Sequence, residues 1–268
     1  MRKQKRSDNR LFWNMFFGLV VVLIVLYGVN IFITGNIIGP LKDSAEKERP
    51  ANLHLALITN DCDNCYDMNN AASFIKRQTT VKVITEKNLT YADKAAQELV
   101  SANNIKTLPA LVITGETLQD NVMPLWNSMG AEFVGNVVIV NGIPPYYSLD
   151  AQKIVGLVQV TKLTDNSCAE CYDVENHMAI LPRFGIYIDK SIPYDVSSAN
   201  GKTLVQKYNI TKVPTIVLSS DASAYTSLNN VWGDVGTVES DGQYVFRAVE
   251  QMGTYKDLAR NNVINATR

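Results

Sequence analysis

No aspartate, glutamate, lysine or arginine occurs between Arg10 and Lys42, in a chain of 268 residues of which 19% are charged. Histidine is scarce, with two residues, and all four cysteines fall in two Cys-x-x-Cys (CxxC) motifs. The net charge of -1 excludes a strongly basic nucleic-acid-binding protein, so no nucleic-acid partner is expected. The hydrophobic content of 46% suffices for packed cores and excludes a chain that is disordered throughout.

The uncharged stretch contains a long apolar run at residues 11–34, LFWNMFFGLVVVLIVLYGVNIFIT. About 20 apolar residues span a bilayer as a helix. Trp13 and Tyr27 lie towards the two ends of the run, where aromatic residues are enriched in membrane helices. The run is longer than the roughly 7–15 apolar residues of a signal peptide, and no clear small-residue cleavage site follows it. We therefore predict an uncleaved transmembrane helix, with a cleaved signal peptide as the alternative.

The residues before the apolar run predict its orientation. Residues 1–10 carry five basic residues and one acidic residue, and basic residues beside a span favour the cytoplasmic side. We predict a single-pass protein of the cell membrane with a cytoplasmic tail at residues 1–10. Everything after the helix would lie outside the cytoplasm, where disulfides persist. Residues 35–52 are expected to form a polar linker.

The remaining chain repeats itself at an offset of about 106 residues. The motif CDNC at residues 62–65 returns as CAEC at residues 168–171, and Pro109 returns as Pro214. Trp126 returns as Trp232, and we expect both to anchor cores rather than to bind ligands. The two histidines do not match between the copies and are expected at the surface or partly packed. We predict domains at residues 53–155 and 156–262, and a short tail at residues 263–268.

Hydrophobic patterning predicts the same element order in both repeats: strand, helix, strand, helix, strand, strand, helix. In the first repeat the elements are residues 53–59, 65–76, 81–85, 91–103, 108–114, 137–140 and 149–154. In the second repeat they are residues 156–163, 171–184, 185–189, 202–208, 213–219, 244–247 and 255–260. Parallel crossovers followed by a hairpin predict an α/β fold, with a mixed central sheet flanked by helices in each domain.

Each repeat resembles a thioredoxin-like domain. The resemblance covers roughly residues 52–155 and 156–262, and it rests on a CxxC motif after the first strand and on a proline at the entry of a later strand. That proline follows the first cysteine by 47 residues in the first repeat and by 46 in the second. The resemblance implies a thiol–disulfide oxidoreductase with two tandem domains and no cofactor. Its partners would be protein thiol or disulfide substrates, or a membrane redox partner.

The resemblance also implies roles for individual residues. The first cysteine of each motif would be the attacking thiol and the second the resolving thiol; these are Cys62 and Cys65, then Cys168 and Cys171. Each motif is expected to begin a helix, whose free N–H groups and dipole would favour a thiolate.

A second set of implied roles concerns the two matched prolines. Pro109 and Pro214 would each follow a cis peptide bond beside the CxxC motif, since X–Pro bonds adopt cis at modest cost. The backbone of the preceding residues, Leu108 and Val213, would then pair with a substrate peptide.

Departures from the family pattern leave alternatives open. Asn60-Asp61 and Asn166-Ser167 replace the aromatic and glycine that often precede the first cysteine, and Asp63-Asn64 and Ala169-Glu170 are unusual between the cysteines. Ala56 and Lys162 stand where the family often has a buried carboxylate. A non-catalytic scaffold with resting disulfides is therefore the alternative to an enzyme. A zinc site formed by all four cysteines is a further alternative, although no metal is expected.

Two matched acids also allow two interpretations. Asp67 and Asp173 each follow the second cysteine of their motif by two residues. They would either assist proton transfer or favour the first turn of the following helix.

Overall fold

The computed structural model describes residues 4–38, 42 and 49–265. Parts of the predicted tail 1–10, linker 35–52 and tail 263–268 therefore lie outside the described residues. Helix α1 spans Gln4–Ile33, and a π-helical turn continues it over Thr34–Ile38. Its segment Phe12–Asn36 has a mean hydropathy of 2.7 and is long and apolar enough to cross a membrane, a property that signal sequences share.

The first repeat contains an open five-stranded mixed sheet, three further strands and three helices. Its elements are β1 (Ala51–Thr59), α2 (Asn69–Lys76), β2 (Val81–Thr90), α3 (Lys94–Ala102), β3 (Thr107–Leu108), β4 (Ala110–Gly115), α4 (Met123–Ser128), β5 (Glu132–Val134), β6 (Val137–Val140), β7 (Tyr146–Ser148) and β8 (Lys153–Val155). The five-stranded sheet has the order β2-β1-β4-β6-β5, in which only β1 and β2 are parallel.

The second repeat has the same design. Its elements are β9 (Val158–Thr164), α5 (Glu175–Ile180), β10 (Ile188–Asp195), α6 (Ala199–Lys207), β11 (Lys212–Val213), β12 (Thr215–Leu218), α7 (Thr226–Val235), β13 (Gly236–Val238), β14 (Tyr244–Phe246), β15 (Tyr255–Asp257) and β16 (Asn262–Ile264). Short 3₁₀ helices span Leu181–Phe184, Ser220–Ala224 and Val249–Gln251. The sheet order β10-β9-β12-β14-β13 again has a single parallel pair, β9 with β10.

Two parallel strands followed by antiparallel ones confirm the predicted mixed sheet and the thioredoxin-like fold class. The division of the chain into domains between residues 155 and 156 stays a prediction.

Each sheet carries an apolar core on both faces because buried side chains alternate along its strands. In the first repeat, Leu55, Ile75 and Trp126 belong to one core, and Ile58 and Val100 belong to the core on the other face. The second repeat has the corresponding pair of cores. Trp126 is fully buried and Trp232 is 4% exposed, so the prediction that both anchor cores is confirmed.

The predicted closing helices at residues 149–154 and 255–260 are wrong. The structure has β-hairpins there, β7–β8 and β15–β16, and each pairs with the two-residue strand that precedes the matched proline. The predicted segments are too short for a stable helix, and the strands of the two hairpins carry strand-forming Tyr, Ile and Val residues. The hairpin turns pass through left-handed Gln152 and Asn261, each with a φ of 51°.

Other boundaries also differ from the predictions. Helices α4 and α7, which carry the two tryptophans, are absent from the sequence prediction. Helix α4 has only six residues, too few to show a clear period, whereas α7 contains two asparagines and a glycine, which have low helix propensity. The strand predicted at residues 185–189 begins later, because Gly185 adopts a left-handed φ of 77° that ends the 3₁₀ helix before it. The strands predicted at residues 108–114 and 213–219 are each interrupted at the proline, which has no N–H to donate.

Candidate active site

Both CxxC motifs are closed disulfides. The Cα atoms of Cys62 and Cys65 are 5.5 Å apart, and those of Cys168 and Cys171 are 5.4 Å apart. All four cysteines are partly exposed. The described part of the chain shows no group of three or more His, Cys, Asp or Glu side chains that could hold a metal ion. All the cysteine sulfur of the protein is therefore in two solvent-accessible disulfides.

The two motifs lie in turns rather than in the first turn of a helix, so the predicted helix starts at residues 65 and 171 are wrong. Helix α2 begins at Asn69 and α5 at Glu175, four residues after the second cysteine. The reason is local: Asp67 Oδ1 accepts the backbone N–H of Asn69 at 3.0 Å, and Asp173 Oδ1 accepts that of Glu175 at 2.9 Å. These contacts support the interpretation of both acids as helix-start residues. A helix dipole acting on the sulfurs has no support in this geometry.

Each disulfide lies beside its matched proline, as the sequence predicted. The Leu108–Pro109 and Val213–Pro214 bonds are both cis, which confirms that prediction. Pro109 lines a cavity of about 230 Å³ together with both cysteines of the first motif. In the second repeat, Cys171 Sγ lies 3.9 Å from the Val213 carbonyl oxygen. The catalytic and substrate-binding roles of these residues stay predictions.

A third cis bond, Pro144–Pro145, was missed by sequence reasoning, although the Pro-Pro pair was an available signal. The Pro145 carbonyl accepts the backbone N–H of Tyr66, the residue after Cys65, at 2.7 Å. In the second repeat, the Thr254 carbonyl accepts the N–H of Tyr172 at 2.8 Å. The segment leading into each hairpin therefore holds the residue that follows each CxxC motif.

A buried hydrogen-bond network supports the second centre. The Tyr172 hydroxyl donates to the Pro214 carbonyl at 2.7 Å and lies 3.0 Å from His177 Nε2. Because the phenol has one proton, His177 Nε2 must carry the hydrogen that reaches the Tyr172 oxygen. His177 is 4% exposed and so is buried rather than at the surface or partly packed as predicted, and this burial lowers its pKa to about 4. Ala71 holds the equivalent position of the first repeat, so this network belongs to the second centre.

We expect acid to destabilise the second repeat through His177. Its folded-state pKa of about 4 lies below the roughly 6.5 of an unfolded chain, so the folded state binds the proton more weakly. The contribution is complete above about pH 6.5 and is lost as the pH falls towards 4, by up to about 3 kcal/mol. Urea unfolding between about pH 7.5 and 4.5, followed by hydrogen exchange in second-repeat peptides, measures it.

The two histidines provide a matched comparison for this prediction. His177→Asn should flatten the pH dependence, whereas His54→Asn, which removes an exposed histidine, should leave it in place. An equal slope in His177→Asn and the parent chain would contradict the prediction.

The second repeat contacts the first centre directly. The Tyr187 hydroxyl donates to Oδ1 of Asn64, which lies between the two cysteines of the first motif, at 3.2 Å. The backbone N–H of Tyr187 donates to the Tyr225 hydroxyl at 3.0 Å, and that hydroxyl donates to the Gly156 carbonyl at 2.6 Å. Gly156 has a φ of 96°, and a Cβ added there would lie 2.7 Å from Pro144 Cβ. The junction between the repeats is thus closely packed, and Tyr187 reaches Asn64 between the two cysteines of the first motif.

No family model matches the chain, and no curated protein matches it. Solved structures that it resembles include the NTD_N/C domain of alkylhydroperoxide reductase AhpF from Enterococcus faecalis, with 11% identity, 64% of this chain and 84% of that chain covered, and a TM-score of 0.19. A protein disulfide oxidoreductase from Aeropyrum pernix K1 has 13% identity, coverages of 65% and 78%, and a TM-score of 0.17. The structure of ERdj5 form II has 11% identity, coverages of 70% and 25%, and a TM-score of 0.17.

The class of protein is defined by the molecule itself: two tandem thioredoxin-like repeats, each with a CxxC disulfide beside a proline-led strand.

Proposed function

We propose that the chain is a membrane-anchored thiol–disulfide oxidoreductase whose two centres exchange disulfides with proteins outside the cytoplasm. The observation that carries the proposal is the same in both repeats: a partly exposed CxxC disulfide lies beside the strand that a matched proline begins. A disulfide that closes a two-residue gap staples little of the fold, so retention of both motifs favours chemistry over a structural role.

Exchange at the first centre takes place in two thiol–disulfide steps. A substrate thiolate attacks the Cys62 sulfur, a substrate–Cys62 disulfide forms, and Cys65 leaves as a thiolate. The second thiolate of the substrate then attacks the substrate sulfur of this mixed disulfide. The substrate disulfide closes, and Cys62 is released as a thiolate. The substrate gains a disulfide, and the centre holds the two electrons until a disulfide-bearing partner or a membrane redox protein accepts them. With a reducing partner the same steps run in reverse, and Cys168 and Cys171 act likewise in the second centre.

A scaffold with resting disulfides is the second candidate function, and specific observations favour it. The motifs lie outside the helices, and Ala56 and Lys162 replace the carboxylate that many family members carry; Lys162 is instead ion-paired with Glu175. Redox titration of the full chain in detergent, with thiols counted by alkylation and mass, separates the two functions. An oxidoreductase reduces to four thiols at a defined potential that a physiological dithiol can reach, whereas a scaffold resists such a partner.

We expect both repeats to face the outside of the cell. The five basic residues at positions 1–10 precede a span without charge, and this arrangement favours a cytoplasmic N-terminus. Protease added to intact cells should remove both repeats and leave an N-terminal tag protected. Protection of both repeats in intact cells, with cleavage after lysis as the control, would show the opposite topology.

A further inference from the structure

The first centre adjoins a groove of about 870 Å³, which we call the Tyr147 groove. Asn60 and Asp61, which directly precede Cys62, line one part of it, and Tyr91 lines another. Tyr147 also lines it and pairs in the β3–β7 ladder with Leu108, the residue before Pro109. The lining residues are thus neighbours of Cys62 along the chain and of Leu108 in the ladder, although neither Cys62 nor Leu108 lines the groove itself. Its volume is that of a site for a drug-sized ligand, comparable with a few residues of peptide.

The corresponding place in the second repeat is closed by an ion pair. Asp165 is the first residue after β9, as Asn60 is after β1, and Lys256 pairs with Val213 as Tyr147 pairs with Leu108. Lys256 Nζ lies 2.7 Å from Asp165 Oδ2, and the two side chains are only 13% and 11% exposed. The same ammonium donates to Ser167 Oγ at 2.8 Å. Lysine and aspartate thus fill the space that stays open beside the first centre.

The Tyr147 groove has an unmet hydrogen-bond requirement. Asn60 Oδ1 is buried and has no hydrogen-bond partner among the described residues. A buried acceptor without a donor is destabilising. This oxygen has no contact with the open space of the groove as it stands, so a donor reaches it only when the partly exposed Asn60 side chain turns. Asp61 adds a negative charge to the lining, and Asp63 lies two residues further along the chain. Tyrosine rings such as Tyr91 and Tyr147 attract cations through their faces.

We propose that the Tyr147 groove binds an extended polypeptide segment that carries an arginine or lysine next to its reacting cysteine. The cationic side chain supplies the charge that complements Asp61 and, once the Asn60 side chain turns, a donor for Asn60 Oδ1. The second centre, closed by Lys256 and Asp165, does not select this side chain. This inference rests on the proposed function and deepens it by naming a substrate class for one of the two centres.

The test uses the full chain in detergent with the second centre silenced by Cys168→Ser and Cys171→Ser. The substrates are two synthetic peptides with one internal disulfide that differ only in an arginine or a glutamine beside the cysteine. We expect kcat/KM to favour the arginine peptide by about fivefold to tenfold, as one ion pair and one charged hydrogen bond allow. Asn60→Asp with Tyr147→Lys, which copies the ion pair of the second repeat, should bring this ratio close to one.

Two further variants keep the test informative if the double variant does not fold. Asp61→Asn changes an exposed side chain and should lower the arginine preference mainly through KM. Asn127→Asp makes the same type of change as Asn60→Asp on the exposed surface of α4 and should leave the ratio unchanged. Conversely, Lys256→Tyr, in a chain whose first centre is silenced, frees the Asp165 carboxylate and should create an arginine preference at the second centre.

The outcomes separate this inference from the proposed function. Exchange at the first centre without an arginine preference, or a preference that survives Asn60→Asp with Tyr147→Lys, overturns the groove inference alone. Exchange with neither peptide nor with a physiological dithiol overturns the proposed function and the groove inference together.

Discussion

Replacing Cys62 and Cys168 together by serine is expected to abolish disulfide exchange by the full-length chain. Only a thiolate attacks a disulfide at a useful rate, and a serine hydroxyl cannot replace it. All the cysteines of the protein lie in the two motifs, so only Cys65 and Cys171 remain as thiols in this variant, and neither keeps the partner with which it closes its motif disulfide. The measurement is turnover of a protein disulfide with a reductant, for the double variant, each single variant and the parent. Each single variant should keep the activity of its intact centre.

The second cysteines should behave differently from the first. In Cys65→Ser or Cys171→Ser, the first cysteine of the motif still attacks a substrate disulfide, but the second cysteine that would release the substrate is missing. These variants should therefore accumulate substrate-linked mixed disulfides that mass spectrometry places on Cys62 or Cys168. Full turnover by the Cys62→Ser, Cys168→Ser variant, or no turnover by the parent with any physiological partner, would favour the scaffold.

Trp126→Ala is expected to lower the free energy of unfolding of the first repeat by about 3–5 kcal/mol. The indole is fully buried between the sheet and α4, and its Nε1–H donates to the Thr117 carbonyl at 2.8 Å. Truncation leaves both a cavity and an unpaired buried carbonyl. Urea unfolding followed by hydrogen exchange in first-repeat peptides measures the loss.

Two variants serve as controls for the tryptophan prediction. Trp126→Phe keeps most of the buried area and loses the hydrogen bond, so it should be less destabilising than Trp126→Ala. Trp13→Ala removes an indole that is 53% exposed on the apolar N-terminal helix and should not change unfolding of the first repeat. Equal stability of Trp126→Ala and the parent would contradict the packing described here.

The sequence predicted the central sheets well because their signals are local and strong. The alternating apolar residues of β1 and the uninterrupted apolar run of β6 need no tertiary context to be recognised as strands. The duplicated CxxC and proline landmarks predicted which segments meet, and the disulfides and cis bonds lie together as expected.

The elements predicted at the wrong positions depend on contacts that the local sequence does not show. The closing segments form hairpins because β3 and β11 each offer a strand edge for pairing. The sequence of residues 149–154 does not indicate that such an edge lies beside it. Helix α2 begins at Asn69 because the Asp67 carboxylate accepts the Asn69 N–H. The sequence does not distinguish this start from one at Cys65. His177 is buried against Phe246, and Lys256 closes the second groove by pairing with Asp165; both contacts join residues far apart in the sequence.

Because the junction at Gly156 is closely packed, neither repeat can be replaced by another module without changing the other. Tandem copies are ordinarily interchangeable modules, but the surroundings of the first disulfide are encoded in both halves of the chain: Asn64 in one and Tyr187 in the other. A chimera that joined the first repeat to a foreign thioredoxin-like module after Gly156 would retain every cysteine and proline of the first centre. It would still lose Tyr187, together with the Tyr225 hydroxyl that holds the Gly156 carbonyl. The smallest exchangeable unit of this protein is therefore the pair of repeats.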